Sequence, residues 1–205
     1  MSLKLRDIGN FFRPSVQVLI VPCLQALDFR TPSYQQNADN AYLSSHRVAS
    51  YWLWYARGMD GHKYAHIVAE NQHVSASTRA SAISRRVDHN LIPRKYISEN
   101  YVSDAVEGGS DELWKELEPV LLDPYFAPLM AAKLDGLPVT LIATAEHDVL
   151  RDDGVMCAQR LNAAGVHTEH LHYDHAYHDL FRNHKRIRQS QIFIEDLVNF
   201  LSSRL

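Results

Sequence analysis

Two residues in this 205-residue sequence stand where acid–base chemistry is usually built. Asp148 lies in Ala145-Glu-His-Asp-Val-Leu-Arg-Asp-Asp-Gly154, directly behind the apolar run Leu137-Pro-Val-Thr-Leu-Ile-Ala-Thr-Ala145. In open α/β sheets the carboxyl ends of strands form the ligand crevice, so a carboxylate there can reach a reacting centre. About thirty residues on comes His172-Tyr-Asp-His-Ala-Tyr-His178, after a further extended stretch. An acid after one strand and a histidine after the next is the order of the last two members of a Ser–Asp–His triad. In that chemistry His178 takes the proton of a serine hydroxyl and returns it to the leaving group. Asp148 holds the imidazole in the working tautomer and stabilises its cation.

Plainer readings exist for the same residues. Asp148 also fits a turn or cap aspartate, and Asp152 and Asp153 fit the start of a helix, where negative charge is favoured. His170, His172, His175 and His178 admit a metal-ligand reading, because alternate residues on a strand share a face and imidazole binds zinc. No HExxH and no cysteine partner supports it, so the expectation is no metal and no cofactor. His62, His66, His73 and His184 read as surface or packing residues. Cys23 and Cys157 lack any CxxC spacing and read as buried small hydrophobes.

The elements that must position the pair are legible as a βαβ unit. Val16-Gln-Val-Leu-Ile-Val-Pro22 and Leu137 to Ala145 are nearly continuous β-branched runs, the pattern of parallel strands buried on both faces. From Asp153 to Ala164 the apolar residues Val155, Met156, Ala158 and Leu161 follow helical spacing, and Gly165 stands where a helix end needs a left-handed residue. Val166 to Tyr173 is the next extended segment, with a histidine-rich loop after it. A terminal helix is marked by Phe193, Leu197, Phe200 and Leu201. More than a hundred residues separate the first two strands, too many for a loop, so a mostly helical insertion over approximately 23–130 is expected. Its aromatics Tyr51, Trp52, Trp54, Tyr55, Tyr96 and Tyr101 read chiefly as packing, with Trp52, Trp54 and Tyr55 as possible pocket lining.

Composition narrows the function classes. Twenty-one Lys and Arg against twenty-four Asp and Glu give a net charge of −3, so no basic field recruits nucleic acid or an anionic membrane. The first residues contain no apolar run long enough for a signal peptide or anchor.

Several motifs resemble the hormone-sensitive-lipase group of α/β-hydrolases, in its arylacetamide deacetylase and neutral cholesterol ester hydrolase branch. They are Leu-Ile-Val-Pro-Cys-Leu-Gln25, Pro-Ser-Tyr-Gln-Gln-Asn37, Leu-Ile-Pro-Arg-Lys-Tyr96, Ala-Pro-Leu129 and Gly-Leu-Pro-Val-Thr-Leu-Ile-Ala-Thr-Ala-Glu-His-Asp-Val-Leu-Arg-Asp-Asp-Gly154. The resemblance implies the C-terminal part of an α/β-hydrolase fold, residues 1–205, with 23–130 as a helical cap. It implies a serine carboxylic ester hydrolase acting on small acyl esters or amides. The family's D-V-L-R-D-D-G acid falls on Asp148 and its D-G-F-H-G histidine on His178. The second motif has drifted to His175-Ala-Tyr-His-Asp179, and Asp179 is a carboxylate able to reorient the ring.

The family's H-G-G-G oxyanion loop and G-D-S-A-G-G nucleophile elbow are not in this sequence, and no G-x-S-x-G occurs; Gly108-Gly-Ser110 is no substitute. Met1 is therefore expected to be a truncated start, and the chain inactive and aggregation-prone alone through an open strand edge. The resemblance further implies an endoplasmic-reticulum location for a full-length protein, with membrane contact only through an N-terminal anchor this chain lacks. The competing reading is a non-catalytic pseudoenzyme or interaction module that binds through that edge.

Overall fold

The computed structural model describes residues 1–9, 13–103, 109–182 and 184–204. Its centre is a parallel three-stranded sheet in the order β1 (Val16–Ile20), β2 (Val139–His147), β3 (Thr168–Tyr177). Val16 pairs with Val139 and Thr140 with Thr168, so the three expected strands share one register. The chain belongs to the α/β class.

Helix α1 (Ser2–Ile8) precedes β1. Between β1 and β2 the chain forms α2 (Pro32–Gln36), α3 (Ser45–Arg57), α4 (Ala65–Ala69), α5 (Ala76–Arg79), α6 (Asp111–Leu121) and several 3₁₀ turns. Ser44 caps α3 by accepting the Arg47 amide, and Ser110 caps α6 by accepting that of Leu113. Ser110 is thus a helix cap; its companion Gly108 lies outside the described residues. After β2 come α7 (Arg151–Ala163), β3 and α8 (Arg188–Ser202).

The sheet divides two cores. One holds Ile142 with α7 and the helices between β1 and β2, among them Trp52, Leu53, Leu117 and Met156. The other holds Ala143, Ala145 and Tyr173 against Leu180 and Phe193 of the α8 side. Alternate β2 residues thus feed opposite layers, which is why residues 141–143 and Ala145 are apolar, while the buried Thr140 and Thr144 hydroxyls are hydrogen-bonded. Helix α7 lies so close to β2 that a Cβ on Gly154 would stand 2.5 Å from Thr144 Cγ2. Gly165, at φ 76°, supplies the left-handed exit that the sequence predicts.

Two expectations are corrected. β3 does not end at Tyr173; it runs to Tyr177, and most of the predicted histidine-rich loop is strand. Cys157 is buried, its thiol pushed up to about 12 by desolvation, but Cys23 is exposed. His73 is a packing residue, as expected. It is fully buried between Phe29 and Trp114, and its Nε2–H donates to the Ala26 carbonyl.

Burial lowers the His73 pKa to about 4. The unfolded chain therefore takes up the proton first as pH falls. The stability that neutral His73 contributes is complete above about 6.5 and drains away towards pH 4, by on the order of 3 kcal/mol. His73→Phe should flatten that part of the acid limb in urea melts at pH 4.5 and 7.5. An unchanged pH slope would show that His73 is not the titrating group.

Candidate active site

β2 delivers its carboxyl end to the top of the sheet, and Asp148 follows it at once. The Asp148 side chain is fully buried, and its Oδ1 accepts the Leu150 amide at 3.0 Å. His178 leaves the end of β3 and brings Nδ1 to 3.0 Å from Asp148 Oδ2. A carboxylate only accepts, so Nδ1 carries the proton and Nε2 is left with its lone pair. The imidazole side chain is 32% exposed, which leaves it open to a reactant.

The ring opens onto an apolar cleft of about 500 Å³ lined by Ile20, Val21, Pro22, Trp52, Tyr55 and Phe126, among others. Its outer wall is an aromatic stack. Phe126 lies 4.2 Å from the Tyr55 ring, parallel to it, and meets Trp52 edge-on at 4.7 Å. Tyr51 also lines the cleft, whereas Trp54 does not and is exposed on the outside of α3. At the inner wall Val21 takes φ 41°, a strained conformation for a β-branched residue, while its amide still bonds to the Ala143 carbonyl at 2.9 Å. That turn carries Pro22 and the exposed Cys23 across the mouth of the site.

The β2–α7 connection is held by residues far away in sequence. Asn37 Nδ2 reaches the carbonyls of Glu146 and Asp148, both at 3.4 Å, and Asn40 Nδ2 donates to that of His147 at 3.0 Å. Ser33 donates its amide to Asp152 and its hydroxyl to the Val149 carbonyl. Arg151 pairs with Asp152, donates to Gln36 Oε1 and the Tyr96 carbonyl, and packs its guanidinium on the Tyr96 ring. Asp153 accepts from the amides of Leu24 and Gln25 and from Gln25 Nε2. Asp152 and Asp153 stand in the first turn of α7, as expected of helix-start aspartates, but both are buried and tie that turn to the chain after β1. The motif Pro-Ser-Tyr-Gln-Gln-Asn37 was the available sign of this clamp.

The four histidines of β3 and its end do not converge. His170 Nε2 and His172 Nδ1 both bond to Thr144 Oγ1, at 2.8 and 3.0 Å. Burial holds His170 at about 4 and lowers His172 as well, which favours the uncharged ring in both. His175 turns to Glu146 and His178 to Asp148. Asp179 does not capture the His178 ring, which bonds to Asp148 instead; its nearby carboxylate raises the pKa of the Tyr42 phenol. Among the described residues, the donors that do gather are those of Glu146, His147 and His175.

Residues 93–182 match a family described as the alpha/beta hydrolase fold. Mouse neutral cholesterol ester hydrolase 1 is 40% identical over 166 residues, 80% of this chain and 40% of its own. Bovine arylacetamide deacetylase is 37% identical over 177 residues, 85% of this chain and 43% of its own. The chain thus spans about two fifths of the length of these relatives. A thermostable esterase from Pseudomonas putida superposes with a TM-score of 0.54 at 24% identity, over 95% of this chain and 43% of its own, a likeness of fold. With a parallel sheet flanked by helices and these relatives aligned along most of its length, the chain has the α/β-hydrolase fold and is similar in sequence to neutral cholesterol ester hydrolase 1 and arylacetamide deacetylase.

Proposed function

We propose that Asp148 and His178 are the acid and base of a serine carboxylic ester hydrolase of the carboxylesterase and lipase type. One observation carries the reading: a buried carboxylate bonded to Nδ1 of a histidine that opens onto an apolar cleft. His178 Nε2 accepts the proton of a serine hydroxyl as it attacks the acyl carbon, and returns it to the leaving alcohol or amine. Asp148 fixes the ring and stabilises the imidazolium formed in between. The aromatic wall of α3 suits an acyl or aryl group, and residues 23–130 then act as the cap over it. Small acyl esters or amides are the substrates this cleft favours, in keeping with relatives named for a cholesterol ester and an arylacetamide.

The sequence holds no serine in a nucleophile-elbow context, so the 205 residues alone are proposed not to turn over an ester. Purified alone, the chain should leave a fluorophosphonate probe unreacted. Joined in frame behind a family segment carrying H-G-G-G and G-D-S-A-G-G, it should react, and His178→Ala should abolish the reaction. Labelling of the chain alone, or labelling of the fusion that survives His178→Ala, would refute the assignment.

One feature favours a second reading, an interaction module without catalysis. Among the described residues β1 pairs on one side only, with β2, so its outer edge offers free backbone donors and acceptors. A fusion that folds and stays unlabelled supports this reading over the first.

A further inference from the structure

We propose that Glu146, His147 and His175 form a binding site for a divalent transition-metal ion of the zinc class, bridging the ends of β2 and β3. Two imidazoles and one carboxylate are a donor set that suits Zn²⁺ and its neighbours. One ligand atom from each lies within 4.8 Å of the others. Glu146 Oε2 is 3.7 Å from His147 Nε2 and 3.5 Å from His175 Nδ1. Around a tetrahedral ion with bonds of about 2.1 Å, neighbouring ligand atoms stand about 3.4 Å apart. Two edges of such a tetrahedron are therefore nearly in place before any ion arrives.

The strand irregularity creates this arrangement. Ala145 pairs with Tyr173 and His147 with Tyr177, so two steps along β2 face four along β3. Within that bulge His175 takes φ 58° and donates its own amide to Glu146 Oε2 at 2.6 Å. The left-handed residue thus brings its side chain beside the carboxylate. The other two donors sit on backbone already clamped by Asn37 and Asn40, and the Tyr177 ring lies against His147 at 5.1 Å. Rigid supports of this kind orient metal ligands.

Access is open as well. The side chain of His175 is 80% exposed and that of Glu146 38%, so an ion can enter and keep water in its fourth position. Glu146 and His147 also line a polar cleft of about 620 Å³ with Lys95, Arg151 and Asp174. This cleft shares no lining residue with the apolar one beneath His178. His147 adjoins Asp148, and His175 precedes His178 by three residues. An ion there ties together the two segments that carry the proposed acid and base.

The test is zinc titration of the chelator-treated 205-residue chain by calorimetry, with cobalt absorbance as a report of coordination. One ion should bind per chain, and cobalt should give the intense visible bands of a tetrahedral site. His175→Asn keeps a residue tolerant of positive φ, and Glu146→Gln keeps an acceptor for the His175 amide. Each should weaken zinc at least about tenfold, while His184→Asn, at an exposed histidine elsewhere, should leave it unchanged. Absence of binding in the unaltered chain, or equal binding in His175→Asn and Glu146→Gln, would overturn the site. The measurement needs no serine, so its outcome is separate from that of the ester-hydrolase reading.

Discussion

Asp148→Asn should lower ester turnover about ten-thousandfold in the chain completed by a G-D-S-A-G-G segment, with KM nearly unchanged. The size of the loss follows from which atoms can donate. As a carboxylate, Asp148 only accepts, so the His178 proton sits on Nδ1 and the Nε2 lone pair faces the reactant. An amide at 148 can present its own N–H to Nδ1, which moves the ring proton to Nε2 and removes the base. The backbone need not suffer, because the Asn oxygen can still accept the Leu150 amide, now at 3.0 Å from Oδ1. Circular dichroism and urea melts should accordingly be close to those of the parent. His178→Ala should be at least as severe, and the double variant little worse than the worse single one, since the two residues act as a unit. A Asp148→Asn enzyme within tenfold of the parent would remove Asp148 from the mechanism.

The positions of these two residues were readable because their supporting strands are read locally. Val16 to Ile20 and Val139 to Ala145 are short runs rich in β-branched and apolar residues, which marks both as strands; β2 is covered on both faces as expected, whereas β1, paired among the described residues with β2 alone, is half-buried along its length. β3 was harder. Its second half, His172 to Tyr177, has no apolar alternation, because a bulge and a left-handed His175 break the period that would mark a strand. Long-range partners were invisible for a different reason. Asp152 and Asp153 look like helix-start aspartates at the level of their neighbours, yet their partners Ser33, Leu24 and Gln25 lie more than a hundred residues earlier in the sequence. Glu146 and His147 likewise gain meaning only when β3 brings His175 to them. Cys23 read as a buried small hydrophobe because no CxxC or metal spacing gave it another role. It stands exposed instead, two residues after the left-handed Val21.

The buried clamp at Asp153 should show the largest effect on stability. Its Oδ2 accepts the Leu24 amide at 2.8 Å and that of Gln25 at 3.3 Å, and its Oδ1 accepts Gln25 Nε2 at 3.0 Å. Asp153→Ala strips all three donors of a partner in a region closed to water. Each orphaned buried donor costs about 1–3 kcal/mol, and Gln25 Nε2 keeps the Asp28 carbonyl, so a total of about 4 kcal/mol is expected. Asp153→Asn keeps one acceptor for the two amides and turns a donor towards Gln25, so it should lose less than half as much. The pH dependence identifies the cause. Desolvation, opposed by these hydrogen bonds and aided by Asp152, pushes the Asp153 carboxyl up to about 7. The unfolded chain gives up this proton first as pH rises. The contribution of Asp153 is therefore complete below about 4, declines as pH climbs to 7, and is level above that. The gap in stability between the parent and Asp153→Asn should shrink over that interval, opposite in sign to the effect of His73. Urea melts of both proteins at pH 4.5, 6 and 7.5 give the gap directly. A gap that widens with pH would mean that Asp153 is held as a carboxylate by its three donors, with desolvation the weaker influence.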